Sequence, residues 1–286
     1  MQKRKILFGI LAAAIVLLVT LVAVYSFLGM GLSFYEPNPT DQWDGLAYTL
    51  WIDICLILIL SGIYLFFEGR ATEVEVQKKF HYGLSLLFVM VGCAIGVIAL
   101  YSVGKLFNEP LMQSLFPPYG IIGGSRGDAM FAIALATFSS PYIMLQIEKY
   151  IKNSKKFVIT KLLIVSIFAG IACIVCAYIQ HAIPSLETED WWTYLSYGLF
   201  GFTALGLIIT MIALPAIYFS LAKQTSGDLK RNSLTIAIGY LLTFIMIFMH
   251  MLRSELDFIP FNWVVFLLGT LIGAMILQAG YMRSTY

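Results

Sequence analysis

The sequence predicts an all-α integral membrane protein, a polytopic bundle of eight transmembrane helices. A seven-helix core is preceded by an N-terminal helix, and both termini are expected on the cytoplasmic side. Three observations predict this class. Hydrophobic residues make up 60% of the 286-residue chain. Charged residues make up 12%, about half of the ~25% usual in a soluble globular chain. The apolar residues fall in continuous runs rather than in period-2 alternation, which excludes a transmembrane β-barrel. A surface this poor in charge would not keep a water-soluble protein dispersed. Soluble enzymes, nucleic-acid-binding proteins and disordered chains are therefore excluded as well.

A helix needs roughly 20 mainly apolar residues to cross the bilayer core. Suitable runs lie at 6–28, 46–67, 82–106, 128–146, 158–181, 194–221, 233–252 and 261–281. The first follows a basic Met1–Lys5 segment, as a signal peptide would, but it exceeds the usual h-region of ~7–15 residues. A retained helix is expected; cleavage would leave seven. The second run contains the acid Asp53. The third carries Gly92-x-x-x-Gly96, the eighth Gly269-x-x-x-Gly273, and the sixth Gly198, Gly201 and Gly206. Small residues let helices approach closely, and these are read mainly as internal packing faces. In the fourth run Pro141 follows Ser139 and Ser140, and the sixth contains Pro215. Each proline removes an intrahelical hydrogen bond and makes its position a candidate hinge. Tyr48, Trp51, Trp191, Trp192, Tyr194, Trp263 and Tyr281 lie near run boundaries, as interfacial anchors do. The segments between runs are too short for a soluble domain, which needs at least ~50 residues. Residues 1–286 are expected to form a single integral membrane domain.

Charge orients the bundle. With a cytoplasmic N-terminus, 15 of the 18 basic residues face inward and only Lys105, Arg126 and Arg253 face outward. Ten of the 16 acids then face outward. Short loops follow this positive-inside bias, which predicts a multi-pass protein of the cell membrane.

Asp53 lies about two turns below the predicted outer end of its helix. Intramembrane acids are costly and face a partner or water. Around the same outer mouth the sequence places Arg126, Asp128, His181, His250 and Arg253. Asp53, Asp128, Arg126, His250 and Arg253 are the candidate ligand-binding residues of an outward-facing pocket. The competing reading is ordinary polarity at helix ends.

Other motifs carry less. Gly123-Gly124-Ser125-Arg126-Gly127 matches G-x-S-x-G, but a nucleophile elbow joins a strand to a helix, and here the motif precedes a membrane helix. Asp53 and Asp128 resemble the acid pair of intramembrane aspartyl proteases, yet Ser125 stands where their Gly-x-Gly-Asp motif begins. Cys173-x-x-Cys176 shares one helix face and is read as packing. His81, His181 and His250 do not offer a matched intramembrane haem pair, and the last run has no lysine for a retinal Schiff base. No catalytic residue, metal or cofactor is assigned. The connectors around Glu68–His81 and Glu148–Lys156 are read as charged loops at the lipid headgroups.

Three stretches carry a resemblance: Tyr64–Arg70 with Gln77–Gly83, Leu145–Tyr150, and Leu214–Tyr218 with Gly227–Arg231. Together they resemble uncharacterised multi-helix membrane proteins of archaea and, more distantly, seven-helix sensory regions fused to histidine kinases. The resemblance implies a sensor-like or receptor-like protein that signals through its cytoplasmic loops to a separate partner. A small-solute or ion transporter and a structural subunit of a membrane complex are the alternatives. The expected partners are the lipid bilayer and a cytoplasmic signalling or membrane-complex partner, with an oligomer allowed.

Overall fold

A computed structural model describes residues 6, 8–11, 13–14, 17, 39–106, 127–151, 153, 155–183, 185–186, 189–251 and 262–284. Among these residues the fold is helical and holds no strand. We call the N-terminal helical residues between 6 and 17 α1. The helices that follow are α2 (Pro39–Ala71), α3 (Glu75–Leu106), α4a (Gly127–Phe138), α4b (Ser140–Gln146), α5 (Val158–Ala182), α6 (Asp190–Gln224), α7 (Gly227–Met251) and α8 (Asn262–Ser284). Six of them are long and apolar enough to cross a membrane: α2, α3, α5, α6, α7 and α8. The chain is an integral membrane protein by this measure.

Several helices extend past their apolar runs. α3 begins at Glu75, where an acid in the first turn complements the helix dipole. α7 begins at Gly227, whose φ of +60° only glycine adopts without strain, directly after α6 ends. The fourth run is an imperfect helix: its hydrogen-bond ladder lapses at Ser139, whose φ of −82° and ψ of −18° stay right-handed helical, resumes as α4b, and continues into a π-helical turn at Ile147–Ile151. Pro141 occupies the first turn of α4b, where a missing N–H costs nothing. The Ser139 hydroxyl donates to the Ala136 carbonyl across the lapse. Pro215, by contrast, lies inside an uninterrupted α6.

The contacts cluster into two compact units, Met1–Tyr64 with Met211–Tyr286, and Leu65–Thr210. In the first unit α7 and α8 form the principal pair. The Gly269-x-x-x-Gly273 face meets α7: a Cβ at Gly273 would stand 2.6 Å from the Thr243 nitrogen. The reading of this motif as internal packing fits that approach. In the second unit α3, α4 and α5 pack together. Gly206 of α6 closes on Ser166 of α5 and Thr137 of α4a, within 2.6 and 2.9 Å of an added Cβ. Gly198 and Gly201, grouped with Gly206 by sequence, meet nothing within 4 Å. Among the described residues, nothing covers the face of α6 on which they lie.

Two of the boundary aromatics have other roles than anchoring. Trp192 is buried, and its Nε1 donates to the Gln180 Oε1 at 3.1 Å. Tyr281 is buried too, because its hydroxyl finds partners inside the protein.

Candidate functional site

α2 carries Asp53 on a face with Leu50, Ile54 and Ile57, all buried. Asp53 is only 2% exposed. Its Oδ1 meets no hydrogen-bond donor among the described residues. A carboxylate taken from water into such surroundings loses its hydration, so a positive or hydrogen-bonding complement is expected to sit beside it.

The other members of the expected outward pocket are less fully described. Arg126 and Arg253 lie outside the described residues. Asp128 is the second residue of α4a and His250 the penultimate residue of α7, but both side chains, like that of His181, lie outside them as well. The pocket is therefore represented by Asp53 alone.

The second unit contains two buried acids that the sequence reading had assigned to charged connectors. Glu148, 3% exposed, reaches the start of α5. Its carboxylate accepts from the Ile159 and Thr160 nitrogens at 3.0 and 2.9 Å and from the Thr160 hydroxyl at 2.6 Å. The first N–H groups of a helix have no intrahelical acceptor. The N-cap residue of α5 is Phe157, left-handed at φ +47° and without a side-chain cap. Glu148 supplies the cap from a distance, and its charge complements the helix N-terminus. This is a structural role.

Glu68 is buried near the end of α2, with Oε1 unpartnered among the described residues. Its backbone carbonyl accepts from the Thr72 hydroxyl at 2.8 Å, and that hydroxyl lies 3.4 Å from Nδ1 of His81. Gly69 beside it lets α2 close on α3, with an added Cβ only 2.8 Å from the Tyr82 ring. In α4b the Ser140 hydroxyl and the Gln146 Oε1 are also buried without a partner among the described residues.

A third polar cluster was not legible as a site. In the first unit Tyr218 of α6, Tyr240 of α7 and Tyr281 of α8 bring three hydroxyls together. The Tyr281 hydroxyl donates to that of Tyr218 at 2.9 Å and lies 2.9 Å from that of Tyr240. The rings of Tyr218 and Tyr240 stack at 6.0 Å, and Tyr281 stands edge-on to both. Their pairing across 41 and 63 residues leaves no local pattern in the sequence, which offered Tyr281 only as an interfacial anchor.

Among the described residues no group of three His, Cys, Asp or Glu side chains gathers to hold a metal. Cys173 and Cys176 pack with Trp192 in an apolar cluster. Comparison with known protein families, curated proteins and solved structures finds no match for this chain.

Proposed function

We propose that this is a non-enzymatic, receptor-like membrane protein in which Asp53 receives a small cationic ligand. The observation that carries the reading is the buried Oδ1 of Asp53, which has no hydrogen-bond partner among the described residues. A carboxylate enclosed by apolar side chains has a strong electrostatic preference for a positive group. On this reading the ligand enters from the outer side, and occupancy of Asp53 biases α2 and the 72–74 connector that follows it. Pro141 and Pro215 are the hinges, and a separate cytoplasmic partner reads the change. The resemblance to seven-helix sensory regions supports the same class.

Thermal unfolding of the detergent-purified protein, across a panel of inorganic and organic ammonium cations, tests this. A ligand at a hundredfold excess over its Kd stabilises by about 2.7 kcal/mol. That is a rise of several degrees for a chain of this size. Asp53→Asn is expected to abolish the rise. It is also expected to raise the stability of the ligand-free protein, since it removes a buried acid whose Oδ1 has no partner among the described residues. Equal cation responses in the two proteins would exclude Asp53 as the site.

A second reading, a cation-coupled transporter, is favoured by the hydrogen-bond lapse that Pro141 makes in α4 and by the buried Ser140 hydroxyl beside it, which has no partner among the described residues. Discontinuous membrane helices are common at transport sites. Asp53-dependent flux into proteoliposomes would select this reading over the receptor.

A further inference from the structure

Three apolar spans meet one end of the second unit: α2 finishes there at Ala71, and α3 and α5 begin there at Glu75 and Val158. α4 finishes there too, because it runs antiparallel to α3. An added Cβ at Gly83 would meet Ile143, while Ala94 packs with Ala132 and Ala136. Where apolar spans end, a membrane protein meets lipid headgroups.

By composition the two connectors at this end are mixed, but the fold takes acids off its surface. Glu148 caps the head of α5, and Glu68 is buried. The acids left outside are Glu73 and Glu75. Against them Arg70, Lys149, Lys155, Lys156 and Lys161 are exposed, and Lys78 and Lys79 are partly so. The surface is therefore more positive than the sequence alone implies, and such a field attracts anions.

Within this surface two lysines from different helices flank one phenol. Lys149 Nζ stands 5.1 Å from the centre of the Tyr150 ring. Lys79 of α3 lies within electrostatic range of the Tyr150 and Tyr142 phenols. Its ion pair with Glu75, at 3.2 Å, is an exposed i,i+4 pair of the kind that contributes little and yields to a stronger anion. Beyond the lysines the seam between α3 and α4 turns apolar. Tyr142 lies against Gly83 and is exposed, and so are Leu86 and Phe138, each one turn further along its helix.

We infer that this seam binds an anionic phospholipid, with the phosphate between Lys79 and Lys149 beside the Tyr150 hydroxyl and an acyl chain along Tyr142, Leu86 and Phe138. A soluble anion would use the lysines alone; the exposed apolar strip next to them matches a ligand with a charged head and a hydrocarbon tail. The site lies within the second unit and does not depend on the role of Asp53.

The test is thermal unfolding of the full-length protein in detergent micelles doped with phosphatidylglycerol or phosphatidylcholine, with native mass spectrometry to count retained lipid. Phosphatidylglycerol is expected to stabilise saturably and phosphatidylcholine to have little effect. Lys79→Gln combined with Lys149→Gln is expected to weaken the apparent phosphatidylglycerol affinity by about tenfold or more, since each basic residue near an anionic headgroup contributes severalfold. Lys223→Gln combined with Lys230→Gln, at exposed positions where α6 gives way to α7, removes the same charge elsewhere and is expected to keep the response. Inorganic phosphate and glycerol phosphate, which carry the headgroup chemistry without chains, are expected not to reproduce it. Three results would overturn the inference: equal stabilisation by the two lipids, equal losses in the two paired variants, or full stabilisation by the chain-free phosphates.

Discussion

Glu148→Ala is expected to lower the unfolding stability of the purified protein by about 3 kcal/mol, the combined scale of a lost helix cap and lost charge-assisted hydrogen bonds. The carboxylate accepts from the backbone of Ile159 and Thr160 and from the Thr160 hydroxyl. Removing it leaves two N–H groups at the head of α5 without an acceptor, and Phe157 cannot replace it. Two graded variants separate the contributions. Thr160→Val removes only the hydroxyl bond and is expected to cost about 1 kcal/mol. Glu148→Gln keeps one acceptor oxygen but turns an amide donor toward other donors, so it falls between the two. Thermal or denaturant unfolding in detergent checks the order. Wild-type stability for Glu148→Ala, or a Gln variant weaker than the Ala variant, would refute the capping role.

Glu148 also shows where sequence reading stops. Its neighbours Lys149, Lys152, Lys155 and Lys156 make the segment read as a solvated loop. Burial comes instead from an orphaned helix start twelve residues away, which no composition window detects. Glu68 was misread for the same reason, since its charged surroundings mask a buried position on α2. The helices themselves were legible because length and continuous hydrophobicity are local properties. The fourth run was the exception: Pro141 marked the region, but the lapse falls two residues earlier, at Ser139. Asp53 was legible as a position because an acid in an apolar run stands out from its neighbours, although the sequence left a structural role open beside a functional one. The tyrosine cluster was not, because phenols are at home in membrane helices and their meeting depends on three helices at once.

The pairing of α7 with α8 yields the second large effect, and it turns on what each glycine faces. A Cβ at Gly273 would meet the Thr243 hydroxyl at 2.5 Å, its backbone nitrogen at 2.6 Å and its Cα at 3.0 Å. A Cβ at Gly269 would meet only the side chain of Met246, at 2.7 Å. Methionine is unbranched and can turn aside, whereas backbone inside a helix cannot. Gly273→Ala is therefore expected to force the helices apart and cost about 2–3 kcal/mol, the range of overpacking in a tight core. Gly269→Ala is expected to cost less than about 1 kcal/mol, because one rotamer change relieves it and alanine favours the helix. Gly239→Ala belongs with Gly273→Ala, since its neighbours are the Leu277 nitrogen and Cα at 2.8 and 3.1 Å. Gly273→Leu would be more severe still and is expected to prevent recovery of folded protein. Side-by-side unfolding of the three alanine variants decides the matter. Equal losses at 269 and 273 would mean that α7 and α8 do not approach backbone to backbone. A loss confined to 273 and 239 would locate the contact at Thr243 and Leu277, one on each helix, just where close approach also holds Tyr240 and Tyr281 within hydrogen-bond distance.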